Sequence, residues 1–174
     1  MAFEIRQFGD PVLKTPAGEV TEFDDSPKHL VEGMLETLRA GEGRMAIAAN
    51  QVGVLKRVFV DQADEKVYVL VNPVIEEKSE ETETATEGCL SIPGIGVEVE
   101  WHAGVVVSGQ DEEGRPVEYG VEGEVARMMQ HEMDHLDAAF AHVLEFREGR
   151  VARHIQVTDS SRWTDALGPP ERWG

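Results

Sequence analysis

The stretch Gln130-His131-Glu132-Met133-Asp134-His135 decides how the rest of the chain is read. Residues four apart on an α-helix lie one turn apart on the same face. His131 and His135 can therefore ligate one metal ion, with Glu132 beside it as a candidate general base. The same pattern arises on ordinary solvated helices, and a third ligand separates the two cases. Downstream, Asp137 and His142 are available, neither at the spacing of the extended zinc-protease motif. Upstream, the only cysteine of the chain lies in Glu87-Gly88-Cys89-Leu90-Ser91. A lone cysteine is more often a small buried hydrophobe than a ligand. One thiolate with two imidazoles is, however, a catalytic ligand set that leaves a fourth position open for water.

Composition narrows the class. The 174 residues, 41% hydrophobic, suit one domain with a real core rather than a disordered acidic chain. We therefore expect a single domain over 1–174. A single cysteine excludes an internal disulfide. No run of eighteen apolar residues and no basic-then-apolar start is present, so no membrane association is expected. The expected location is a reducing cytoplasm, where a thiolate ligand survives best. A formal charge of −18 argues against nucleic acid or an anionic membrane as partner.

The local patterns read as α+β. Pro11 and Pro16 punctuate an irregular N-terminal arm. Ser26 is the expected N-cap of a helix with Pro27 at its first position. Leu30, Val31, Met34, Leu35 and Leu38 form an apolar stripe that reads as core packing. Strands are expected at Arg57 to Asp61 and at Lys66 to Asn72, with Pro73 at an edge or turn. Val105 to Ser108 and Pro116 to Val121 read as a hairpin pair. The histidine-bearing helix is expected from about Gly123 to Asp137. No internal repeat or linker divides the chain.

With Glu87 to Ser91 (E-G-C-L-S) and Gln130 to Leu136 (Q-H-E-x-D-H-L) in hand, the chain resembles the peptide deformylases. Both motifs of that family appear unaltered and in order. Its first motif, usually G-x-G-[LI]-A-A-x-Q, reads Arg44-Met45-Ala46-Ile47-Ala48-Ala49-Asn50-Gln51. Gly9 to Pro16 and Gln51-Val52-Gly53-Val54 add support. The resemblance spans roughly residues 3 to 148 and leaves 150–174 as a C-terminal tail, with Thr158 to Ser161 and Pro169-Pro170 inside it. It implies antiparallel and mixed strands packed around a central metal-binding helix, with the acidic block 76–84 as an exposed strand.

The resemblance also implies hydrolysis of an N-formyl amide, with formyl-methionyl nascent chains as the expected substrate and a monomeric enzyme. Cys89, His131 and His135 are the implied metal ligands. Fe(II) is the expected ion, and Zn(II), Ni(II) or Co(II) can occupy the same donors. Glu132 is the implied base; Gln51 and the backbone N–H of Leu90 are the implied oxyanion donors. Met45, Ala46, Glu87, Gly88, Glu124 and Met128 are the expected substrate-binding positions.

Several departures from the family pattern stand out. Arg44 and Ala46 replace two glycines, narrowing the expected groove, although Arg44 can equally point to solvent. Trp101 falls where the arginine that pairs with Glu87 is expected, so a changed brace is anticipated. Glu124 lies seven residues before His131 on the same helical face, where the family usually has an apolar residue. It is also an acid in a first helical turn, favoured there by the helix dipole alone. Ala138 replaces the glycine that follows the helix, so a different helix end is expected. These changes leave two further readings beside the ordinary enzyme: a paralogue acting on another N-formyl peptide or metabolite, and a nearly inactive binder of formylated peptides.

Overall fold

A computed structural model describes residues 1–63, 65–138, 141–147 and 150–157. Five antiparallel strands form the main sheet. They are β1 (Ala46–Ala48), β2 (Val58–Ala63), β3 (Lys66–Lys78), β6 (Gly104–Gln110) and β7 (Pro116–Glu122), in that spatial order. Strands β4 (Thr82–Cys89) and β5 (Ile92–His102) make a separate two-stranded hairpin, as do β8 (Ala141–Arg147) and β9 (Arg150–Val157). Helix α1 spans Asp25–Arg39 and helix α2 spans Gly123–Leu136. The α+β expectation and the β6–β7 pairing are borne out.

The alternation of β2 distributes the core. Val58 and Val60 pack with Val31, Met34 and Leu38 of α1, while Phe59 packs with Ala126, Met129 and Met133 of α2. Successive strand residues point to opposite faces, so Asp61 shares the Phe59 face, towards α2. Each helix thus covers one side of the same strand. Leu30 and Leu35 flank the α1 stripe and are only partly buried.

Local chemistry shifts several expected boundaries. The cap of α1 is Asp24 rather than Ser26: its extended backbone (φ −79°, ψ −156°) lets the carboxylate accept the Ser26 N–H at 2.8 Å. That starts the helix earlier and leaves Pro27 in the first turn, where its missing N–H costs nothing. Strand β3 does not stop at Asn72. Asn72 takes a positive φ of 50° and the register to β6 slips between Val71 and Val74, so Pro73 sits at a bulge and the strand continues. The Asn72 amide also holds the N-terminal arm, accepting from the Val20 N–H at 2.8 Å and donating to the Val20 carbonyl at 2.9 Å.

The acidic block 76–84 is the exposed end of β3, a turn at Ser79, and the exposed start of β4, rather than one strand. Helix α2 stops at Leu136 despite the alanine at 138. Ala138 itself adopts the left-handed conformation, φ 51°, at a cost of about 1–2 kcal/mol. The end is fixed from outside: the Leu136 carbonyl accepts from the Ala17 N–H at 2.8 Å, and Arg57 pairs with Asp137. Residues 150–157, assigned to the tail, form strand β9. Thr158 to Ser161 and Pro169-Pro170 lie outside the described residues. Among the described residues no helix is long and apolar enough to cross a membrane.

Candidate active site

Two elements meet at the site, the end of β4 and the C-terminal half of α2. Cys89 closes β4 where the register to β5 slips between Gly88 and Cys89, which turns the thiol towards the helix. His131 and His135 present successive turns of α2, their rings 5.1 Å apart. The Cys89 Sγ lies 3.4 Å from His135 Nε2, and one ligand atom from each of the three residues falls within 4.8 Å of the others. Both histidines are buried, at 5% and 2% exposure. Of the other third-ligand candidates, Asp137 is engaged by Arg57, and the His142 side chain lies outside what is described.

Gln51 sits in the short 3-10 turn Ala49–Val52, with its amide orientation fixed at both ends. Its Oε1 accepts the Ala48 N–H at 2.9 Å, so Nε2 is left to point at Ser91 Oγ (3.2 Å) and Cys89 Sγ (3.7 Å). Glu132 is 3% exposed, and among the described residues its Oε2 has no hydrogen-bond partner. Burial raises its pKa well above the usual carboxylate range, and the charges of Asp61 and Glu87 push the same way. Burial likewise pushes the Cys89 thiol up to about 12, with the Glu132 charge adding to it. A bound dication reverses that preference, because the thiolate is the ligating form. Two imidazoles, a thiol and an unpartnered carboxylate oxygen in one pocket are a donor set that fits a divalent metal.

These groups open onto a cavity of about 810 Å³ lined by Met45, Ala46, Gln51, Glu87, Gly88, Cys89, Leu90, Glu124, Met128, His131 and Glu132. His135 lies behind this wall, with its backbone carbonyl accepting from Asn50 Nδ2. Arg44 does not point away to solvent. It lines the cavity and donates from NH1 to the Thr37 carbonyl at 2.7 Å, closing over the end of α1.

The expected change of brace is corrected by the helix. Glu87 Oε1 lies 3.5 Å from Arg127 Nε, and its Oε2 is 3.9 Å from His131 Nδ1. Arg127 also reaches Glu83 at 3.0 Å, tying β4 to α2. Burial raises the pKa of Glu87, while Arg127 opposes that rise. Trp101 is buried in β5 with no partner for its Nε1. Arg127, which the sequence did not single out, lies one turn before His131 on the same face of α2.

Asp61 is the other residue the sequence did not single out. It is fully buried, and among the described residues neither carboxylate oxygen has a hydrogen-bond partner. Burial, then the charge of Glu124, pushes its pKa up to about 7. Its signal was a carboxylate in register with Phe59 on the apolar face of a strand.

The polypeptide deformylase family model matches residues 2–144. Peptide deformylase 1 of Corynebacterium glutamicum is 43% identical over 165 residues, covering 92% of this chain and 96% of that protein. The corresponding protein of Corynebacterium efficiens is 46% identical over the same shares. The crystal structure of peptide deformylase from Thermotoga maritima superposes with a TM-score of 0.76 at 43% identity, covering 79% of this chain and 93% of that one. A peptide deformylase from Synechococcus elongatus, solved with actinonin, gives 0.75 at 40% identity, covering 79% and 75%. A metal-ready Cys–His–His cluster, a buried glutamate and an oriented glutamine occur here on a fold and a sequence shared along most of the chain, which therefore belongs to the polypeptide deformylase family.

Proposed function

We propose that this protein hydrolyses the N-formyl amide of formyl-methionyl nascent chains, releasing formate and a free amino terminus. The observation that carries the reading is the convergence of Cys89, His131 and His135 on one point of a cavity whose wall also holds Glu132 and Gln51.

A divalent cation held by these three side chains supplies Lewis acidity and a water of lowered pKa. Fe(II) is the ion we assign, on the family resemblance; the donor set suits Zn(II), Ni(II) and Co(II) as well. Glu132 accepts the proton of the attacking water at its unpartnered Oε2 and delivers it to the nitrogen as the carbon–nitrogen bond breaks. Gln51 Nε2 donates to the oxygen that gains charge on the formyl carbon. The Ala48 N–H prevents the amide from flipping and presenting an acceptor there. The Leu90 backbone N–H is the second donor. Glu87 orients His131 and is itself held by Arg127. All of these groups come from one chain, so a monomer suffices.

Protein purified without oxygen and loaded with Fe(II) or Ni(II) should release formate from formyl-methionyl peptides with kcat/KM of about 10⁴ M⁻¹s⁻¹ or more. Full metal occupancy with no formate release would overturn the reading. Metal analysis of the anaerobic protein before loading tests the assignment of iron.

A further inference from the structure

The cavity extends beyond its metal-ligand end. Along α2 it continues past Met128 to Glu124, about 10 Å along the helix axis from His131. With a formyl group at the ligand end, the side chain of the formylated residue is the part of a substrate best placed to enter this arm. Its walls are acidic. Glu124 borders it, and Asp61 lies behind it on β2, directly across from the cavity residue Ala46 and on the strand face that meets α2. Asp61 is 0% exposed and both its carboxylate oxygens lack a partner. The Glu124 charge acts on Asp61, so the two carboxylates are within electrostatic reach.

Arg44 and Arg127 line the same cavity, but among the described residues neither Asp61 nor Glu124 forms an ion pair. Arg127 is taken by Glu83 and Glu87, and Arg44 NH1 is given to the Thr37 carbonyl. A buried carboxylate without a donor is costly unless something brings one to it. An apolar residue at position 61 would continue the face begun by Phe59 at no such cost.

We propose that Asp61 and Glu124 are specificity-determining residues that widen the substrate class to N-formyl peptides whose first side chain ends in a cation, such as lysine. This rests on the deformylase reading. An ammonium entering the arm meets Glu124 at its border and acts through space on the buried Asp61 carboxyl behind the wall.

The test compares formyl-lysyl-alanyl-serine with formyl-norleucyl-alanyl-serine, which have side chains of the same carbon length and differ by the ammonium. Wild-type kcat/KM for the two peptides should agree within tenfold. Glu124→Leu and Asp61→Val should each lower the lysine-to-norleucine ratio by tenfold or more. A smaller movement in both variants overturns the proposal, as does wild-type discrimination against lysine beyond tenfold. Calorimetric binding of the deformylated peptides Lys-Ala-Ser and Nle-Ala-Ser to the Ni(II)-loaded proteins reads the same ratio without turnover. If wild-type protein releases no formate from any peptide, the deformylase reading fails, and the binding ratios alone decide the role of the acid pair.

Discussion

Helices α1 and α2 are almost equal in length, 15 and 14 residues, and cover opposite faces of β2, yet they bury different chemistry. Helix α1 sets Val31, Met34 and Leu38 against the strand. Helix α2 sets Ala126, Met129 and Met133 there and also buries Gln130, His131, Glu132 and His135. Buried polar groups of this kind contribute little to stability and can oppose it. The difference teaches a division of labour. Both helices bury apolar side chains against the sheet, and on the α2 side that core also sustains a reactive layer that hydrophobic packing alone would not select.

The largest expected effect is on α2. Glu132→Ala should lower kcat by about 10³-fold, or ~4 kcal/mol, with metal content unchanged and no loss of thermal stability. Retained activity would remove Glu132 from the reaction, and a fallen melting temperature would break the comparison from the other side. On α1, Met34→Ala should cost about 2–5 kcal/mol in urea denaturation and leave kcat unaltered in the folded protein. A matching fall in kcat would mean that the two layers are mechanically coupled.

Asp61 sits between the two layers and sharpens the contrast by its pH dependence. Its folded-state pKa is pushed up to about 7 from an ordinary 3.8. Between these values the folded chain holds a proton that the unfolded chain has released. The stability tied to that proton is therefore fully present below about pH 4 and is lost as pH rises through 7. Asp61→Asn cannot titrate, so its advantage over wild type should grow from pH 5 to pH 8, reaching about 2–4 kcal/mol. An equal difference at both pH values would show that Asp61 ionises as freely as in the unfolded chain. The smallest effect is expected at the start of α1, where Asp24→Ala should lower the melting temperature slightly through loss of the cap and leave catalysis untouched.

The sequence carried the α2 side unusually well. Helical spacing alone aligned His131, Glu132, His135, Met128 and Glu124 on one side of a cylinder, and the cavity receives four of them directly. The ligand triad was legible because its residue types are chemically scarce: the chain has one cysteine and six histidines. Asp61 and Arg127 escaped notice for the opposite reason. Acids and arginines are common, and their meaning depends on which strand face meets α2 and on where β4 docks, both of which are tertiary facts. The start of α1 moved because Asp24 and Ser26, two residues apart, are both cap-forming types, and Asp24 has the extended backbone that a cap requires. The continuation of β3 past Pro73 required Asn72 to adopt a positive φ, which the residue tolerates but does not announce.

Among the described residues, the β4–β5 hairpin that delivers Cys89 is paired with no strand of the main sheet. Its attachments to α2 are side-chain ones: the Gln130 amide clasps the His102 backbone, with Nε2 to the carbonyl at 2.9 Å, and Arg127 pairs with Glu83 and Glu87. An ion shared between Cys89 and the two histidines is therefore a cross-link between this hairpin and α2. Opening of the hairpin and release of the ion become one thermodynamic event, governed by mass action. Free metal at a thousand times its dissociation constant would hold the closed form by about 4 kcal/mol. Chelation would return that amount as local breathing, seen first as amide exchange along β4 and faster alkylation of the Cys89 thiol.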